Sequence, residues 1–477
     1  MLRCLLMIAC LMPLACRVPG AVIPSGESAV PDGVWVDGAR REPGDGSRGR
    51  PFTRVEEALR HVGTGGSPFR VHLAPGRYPG PFVLPPGLEL VGEGAVLQGE
   101  GTGPVVRAPE GATLRGLGIQ GGSWGLEAAG PVRLEAVRFE GQEAGAVRLG
   151  SGRLTVERGV FEAGGAEAVG VLLLEGTRAE VREGSFVGAF RRGVEARGAE
   201  VELEAVRFRG PLTALYQVEG RVRLRRVEVE GGRDAGLFTQ RGSLRLEDVT
   251  VTGHEYGVQT VEATVETRAF TSVRAARAGV VLIGTKGRLE DTVVLGSGGH
   301  GGLLLVGSDL EVRGVRVDGA DAYGISATRG RLRVRQAVIT HLTTREGDSG
   351  DGLHLRDVEV EVEDLLVRDA AGVGVLGAQG ARVLLRDVSL EACREAGVLV
   401  ETQGQVTAEG LEVRGSSGPA LAAMDDGVLR VESLTARDNA AGLVWADCQG
   451  GTAVTLRRVT GQVATGTEGA CVMGPSP

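Results

Sequence analysis

A short alternating unit recurs through most of this chain, and no other feature limits the possible folds so tightly. It is clearest from Val201 to Gly253, which reads VELEAVRFRG, VRLRRVEVEGG and LRLEDVTVTG, each closed by glycine. The apolar positions fall in register: Leu203, Val206 and Phe208, then Leu224, Val227 and Val229, then Leu246, Val249 and Val251. The same position recurs before it at Leu114, Leu134, Val156 and Val181, and after it at Val265, Leu289, Val312, Val334, Val362, Leu385, Ala408, Val431 and Leu456. The average step is 22.8 residues. A fixed period of this size marks a solenoid, whose units bury their apolar faces only by stacking on one another.

Alternation with period two inside each unit specifies strands and not helices. A leucine-rich repeat would need a recurring asparagine or cysteine, and Asn439 is the one asparagine in the chain. A second short strand follows a glycine in each unit, as in GVEARG from Gly193, GLFTQRG from Gly236, GVVLIG from Gly279, GLLLVG from Gly302, GVLVET from Gly397 and GLVWAD from Gly442. Two or more strands per turn make a single-stranded parallel β-helix, an all-β fold. Sixteen coils of ~22 residues at ~4.8 Å per coil would give a rod about 75 Å long. The 79 glycines are expected at its sharp corners, where a positive φ costs glycine little.

A length of 477 residues would ordinarily suggest more than one domain, but unbroken periodicity implies one elongated unit with an N-terminal cap. The net charge of −8 is spread over strand faces that interleave Arg and Glu, such as Arg223, Arg225 and Glu228 beside Arg245 and Glu247. This reads as a solvated surface of mixed sign, and it excludes a basic track for nucleic acid. Cys4, Cys10 and Cys16 lie in the leader, leaving Cys393, Cys448 and Cys471 in the body. None has metal-ligand spacing, so no bound metal is expected. Cys448 and Cys471 fall in successive terminal coils, where a disulfide would clip the end; Cys393 reads as a small buried residue.

The chain opens MLRCLLMIACLMPLAC, with Arg3 ahead of an apolar run from Leu5 to Leu14. That is a signal peptide over 1–16, too short for a membrane span. Leu14, Ala15 and Cys16 resemble the end of a bacterial lipobox, which implies a lipid on Cys16; Pro13 departs from the usual leucine. Residues 17–33 read as a flexible linker, 34–98 as cap and first coil, and 99–477 as the β-helix. In the cap, Thr53 and Glu56 form a T-x-x-E capping box, and Val55, Ala58, Leu59 and Val62 make one apolar helical face. Such a helix would cover the open end of the first coil.

The order G-D-G-S, P-F, T-x-x-E-E-A-L and V-x-L-A-P-G-x-Y, followed by coils, resembles the pectin-lyase-like superfamily from Val34 to the end. That resemblance implies a right-handed parallel β-helix. It leaves activity open, because the superfamily holds lyases, hydrolases, esterases, tailspikes and adhesins. Gly299, His300 and Gly301 match the G-H-G of polygalacturonases, but the paired aspartates their chemistry needs are absent. Gln336, Ala337 and Val338 match part of a pectin methylesterase motif, without the D-F-I-F-G that should follow; Gln336 reads as an outward strand residue. The aspartate cluster and arginine motif of pectate lyases are missing too.

One constellation remains. Just before the strand glycine, coil after coil, stand Trp124, Arg192, Tyr256, Tyr323 and Asp351, with Arg233, Asp234, His254, Glu255, Arg277, His300 and Asp321 nearby. These should form a ridge of turns along the rod. The longest insertion of the repeat region, THLTTREGDSGD between Ile339 and Gly352, lies on the same turn. It could bring His341, Arg345, Glu346, Asp348 and Asp351 toward His300, Asp321 and Tyr323. Aromatic faces flanked by Asp, Glu and Arg suit sugar rings and their hydroxyls. The first reading is therefore an exported monomer, lipid-anchored in the cell envelope or else secreted, that binds a polysaccharide or other surface polymer along this ridge, through Trp124, Arg192, His254, Tyr256, Tyr323, His341 and Arg345. Two others stay open: a polysaccharide lyase or glycoside hydrolase using His300, Asp321, Asp348 or Asp351, and an inert surface rod. No cofactor is required, although D-S-G-D offers two carboxylates to Ca²⁺.

Overall fold

Each repeat unit passes through three short strands before it returns one coil further along. In the unit from Ser243, residues 243–247 belong to a first sheet, 249–252 to a second and Tyr256–Val261 to a third. Every strand pairs in parallel with its counterpart in the coils before and after. The computed structural model describes residues 33–63, 70–344, 349–461 and 471–474. From Gly33 onward they form one compact parallel β-solenoid of about 18 turns. At ~4.8 Å per turn this is a rod of about 85 Å.

The two turns beyond the expected sixteen include coils at the N-terminal end. Val34–Val36 already pairs with Arg70–Leu73, which pairs with Leu88–Val91, so 34–98 contributes several coils and not one. The repeat is hard to see there because a helix, Val55–Gly63, interrupts it. That helix buries Val55, Ala58 and Val62, with Leu59 packed against the core. Glu56 and Glu57 in its first turn and Arg60 and His61 in its last suit the helix dipole.

The ladder of the first sheet runs Leu114, Leu134, Val156, Val181, Leu203, Leu224, Leu246 as expected. It then pairs Leu246 with Thr267 and Thr267 with Leu289. Thr267, and not Val265, therefore holds the repeat position in that coil; Val265 sits opposite Leu244. Thr267 is tolerated inside because its hydroxyl lies 3.0 Å from that of Thr292 in the next coil. A register read from apolar residues alone passes over a buried threonine.

Glycine takes positive φ at many corners, as expected, among them Gly210, Gly231 and Gly253, but not at all of them, and it has a second part as well. The corner between the first and second sheets is held mostly by non-glycine residues in the left-handed region, among them Ala136, Arg158, Asp248 and Asp387, with φ between 51° and 57°. Gln336, exposed within the strand Tyr323–Leu342 as expected, takes the same conformation at φ 57°. The cost of roughly 1–2 kcal/mol at each is spread over a continuous ladder. The strand glycines of the third sheet are needed instead for close approach. A Cβ on Gly193 would lie 2.6 Å from Phe208, on Gly236 2.4 Å from Val251, and on Gly324 2.4 Å from Ile339. The third sheet thus lies directly against the core side chains of the second, where Phe139, Phe161, Phe186 and Phe208 stack at 5.3, 4.4 and 4.6 Å. At the far end, a disulfide joins Cys448 and Cys471 across successive coils.

Candidate functional site

The outward face of the third sheet carries two columns of side chains, because a strand glycine turns its own position inward. One column lies just before the glycine and the other two residues after it. In the first, register links Trp124 to Gly145, Val169 and Arg192, then Thr213. Through Leu215 and Leu237 it continues to Ala235, Tyr256, Ala278 and Gly301, and through Leu303 and Ile325 to Tyr323 and Asp351. Trp124, Arg192, Tyr256 and Tyr323 thus stand at every third coil, about 14 Å apart, with small or medium residues between. The column read from the sequence is a strand ladder and not a set of turns.

The second column was missed. It runs Glu127, Arg148, Leu172, Glu195, Tyr216 and Phe238, and later includes Leu304, Ser326, His354, Leu376, Leu399, Ala422 and Trp445. Tyr216 and Phe238 stack at 4.9 Å, and Trp445 is 50% exposed. The signal for it was present, since every member named here except Trp445 follows a strand glycine, or an alanine in its place, by two residues.

Several expected contacts have internal partners. The Arg192 guanidinium lies 3.4 Å above the Tyr216 ring and 2.7 Å from Glu195, a carboxylate only 1% exposed that Arg197 also holds at 2.6 Å. Burial pushes Glu195 up, but hydrogen bonds from Arg192 and Arg197 outweigh this and hold its pKa below the ordinary value. His254 is 1% exposed with no hydrogen-bond partner for either ring nitrogen, and burial lowers its pKa against a weaker upward pull from Asp234 and Leu212. It packs against Gly232 and cannot reach a ligand on the surface. His341 sits at a corner (φ 53°) with Nδ1 2.7 Å from Asp318, whose pKa is lowered chiefly by that bond and then by Thr340. Asp321 accepts from Thr343, and His300 lies 6.3 Å from Tyr256. Arg345, Glu346, Asp348 and Cys16 lie outside the described residues.

Asp351 is the centre of a buried network. Its Oδ1 accepts from the Val373 amide at 2.9 Å, and its Oδ2 accepts from Ser349 Oγ at 2.8 Å and His354 Nδ1 at 2.7 Å. With both oxygens so engaged, Asp351 has little left to offer Ca²⁺; among the described residues no group of three His, Cys, Asp or Glu could hold a metal. The His354 ring packs against Tyr323 at 4.4 Å. Beneath lies Cys393, a free thiol pushed up to about 12 by burial and by the charges of Asp351 and Glu391, and so unreactive.

The opposite character appears on the outer face of the first sheet, where a groove of about 1210 Å³ runs along the rod between Arg245 and Thr407. Its central column alternates in sign: Arg245, Glu266, Arg288, Glu311, Arg333, Glu361. Ion pairs close at 3.4, 2.8 and 3.3 Å along it. Charges of both signs cancel within two coils, so the groove sets up no long-range field.

No protein-family model and no curated protein matches the sequence. Solved structures of similar course include the catalytic unit of a GH87 α-1,3-glucanase from Streptomyces thermodiastaticus, at 13% identity over 93% of this chain and 70% of that one, TM-score 0.29. A PL6 family alginate lyase aligns at 7% identity over 88% of this chain and 98% of its own, TM-score 0.26. A tailspike protein of E. coli bacteriophage HK620 aligns at 10% identity over 88% and 76%, TM-score 0.20. Likeness this distant does not bear on the chemistry of the site. The fold rests on the ladders themselves, and they make this chain a parallel β-helix protein of the kind the pectin-lyase-like resemblance implies.

Proposed function

We propose that this protein is an exported rod, anchored by a lipid on Cys16, that binds an extended polysaccharide or similar surface polymer along the outer face of its third sheet. One observation carries the reading. Of the seven Trp and Tyr residues, Trp35 and Tyr78 belong to the N-terminal coils, and the other five, Trp124, Tyr216, Tyr256, Tyr323 and Trp445, all stand on this one face. Aromatic rings combine apolar area with a polar tip and suit a ligand that is apolar on its ring faces and wet at its edges. The Cys448–Cys471 disulfide suits an oxidising compartment.

The test is electrophoresis of the full chain through gels containing a panel of neutral and charged polysaccharides. Retardation by at least one polymer is expected, and Tyr256→Ala and Tyr323→Ala should each weaken it about threefold to tenfold, the range that ~0.5–1.5 kcal/mol per aromatic contact allows. Binding unchanged in both variants would sink the ridge. Shortened polymer chains would instead make the protein a hydrolase or lyase. For the anchor, Cys16→Ser should move the protein from the membrane fraction to the soluble one; a variant that stays with the membrane would overturn lipidation.

A further inference from the structure

Two polar atoms at the middle of the aromatic face, Arg356 Nε and His354 Nε2, have no partner among the described residues, and their residues lie side by side. Arg356 and His354 are two residues apart on the strand Asp351–Arg356 and therefore face the same way, with Cα atoms about 6–7 Å apart. Arginines on the first sheet commonly pair with a Glu or Asp in a neighbouring coil, as Arg288 does with Glu311. Arg356 makes no ion pair among the described residues, and its buried Nε has no acceptor. Leaving such a donor unmet costs on the order of 1–3 kcal/mol, and its neighbours in the ladder, Thr328 and Ala378, offer no charge. His354, with 6% of its side chain exposed, spends Nδ1–H on Asp351, which fixes the tautomer and leaves Nε2 as an acceptor with no partner among the described residues. Tyr323 packs on the same imidazole.

From this we infer that Arg356, His354 and Tyr323 form a subsite for a polymer unit that carries an anionic substituent. Arg356 donates to the anion, His354 Nε2 accepts from a hydroxyl of the same or the next unit, and Tyr323 provides the ring face. A donor and an acceptor on neighbouring positions of one strand face select a hydroxylated anion over a bare one. This rests on the polymer-binding reading and names the class of polymer within it. Carboxylate, sulfate ester and phosphate share the required chemistry, and the experiment separates them.

The full chain is run by affinity electrophoresis against hyaluronate and its carboxyl-reduced form, dextran sulfate and dextran, with inorganic phosphate as a competitor. At least one anionic polymer should bind more tightly than its neutral counterpart, and Arg356→Gln should reduce that affinity on the order of tenfold while leaving the neutral one alone. Arg356→Lys keeps the charge without the Nε donor and should fall between. Circular dichroism melting confirms that each variant is folded. Tyr323→Ala should weaken charged and neutral polymers alike. If polymers bind but neither charge removal nor Arg356→Gln changes affinity, the anion subsite is wrong and the ridge stands. Should no polymer be retarded at all, both readings fall.

Discussion

The outer faces of the first and third sheets are built by the same ladders, yet they solve opposite problems. On the first, charge is exposed and alternates coil by coil from Arg245 to Glu361, so the guanidiniums of that column find a carboxylate one step away. On the third, Glu127 and Arg148 make an exposed pair near the N-terminal end, but further along charge is sunk among rings and aliphatic chains, as with Glu195 and Asp351 at 1% and 0% exposure. The lesson is that a solenoid leaves its outer faces free to diverge. Stacking fixes the inward residues, while outward ones answer only to their neighbours in the next coil and to whatever touches the rod. The first face is already satisfied by the protein itself. The third holds the unmet groups.

Removing a charge should therefore cost far more on the third face than on the first. Glu195→Gln leaves three arginines, 21–61% exposed, around a neutral amide and should cost about 1.5–3 kcal/mol, the range for a lost charged hydrogen bond. Because Glu195 has a lowered pKa in the folded state, its contribution is fully present above the unfolded value of about 4.3 and is lost as pH falls through the folded one. Urea midpoints at pH 7 and pH 3 should show the difference between wild type and variant shrinking with acid; a constant difference would mean that Glu195 acts by packing and not by charge. On the first face, Arg288→Gln removes a 2.8 Å pair whose arginine is 58% exposed and should leave the urea midpoint nearly unchanged, because exposed pairs contribute little. A loss as large as that of Glu195 would erase the distinction between the faces.

The sequence showed one column of the third face clearly because the strand glycine is a phase mark. Trp124, Arg192, Tyr256, Tyr323 and Asp351 each directly precede one, and the ladder stacks all five. The same mark locates the second column two residues further on, but it was passed over because Tyr216, Phe238 and His354 lie within strands that read as ordinary apolar or mixed runs. Nor could the sequence separate Arg192 and His254, whose side chains turn to internal partners or burial, from Tyr256 and Tyr323, which remain on the surface.

The sequence by itself determined the solenoid, its strands, the capping helix and the spacing that lets Cys448 meet Cys471, since each follows from local periodicity and from stacking identical units. Only the tertiary structure decided the register at Thr267, the extra N-terminal coils and the partners of Asp351, His354 and Arg356. Those depend on which side chain in one coil lies above which in the next, and a single insertion or a buried hydroxyl shifts that alignment without disturbing the repeat.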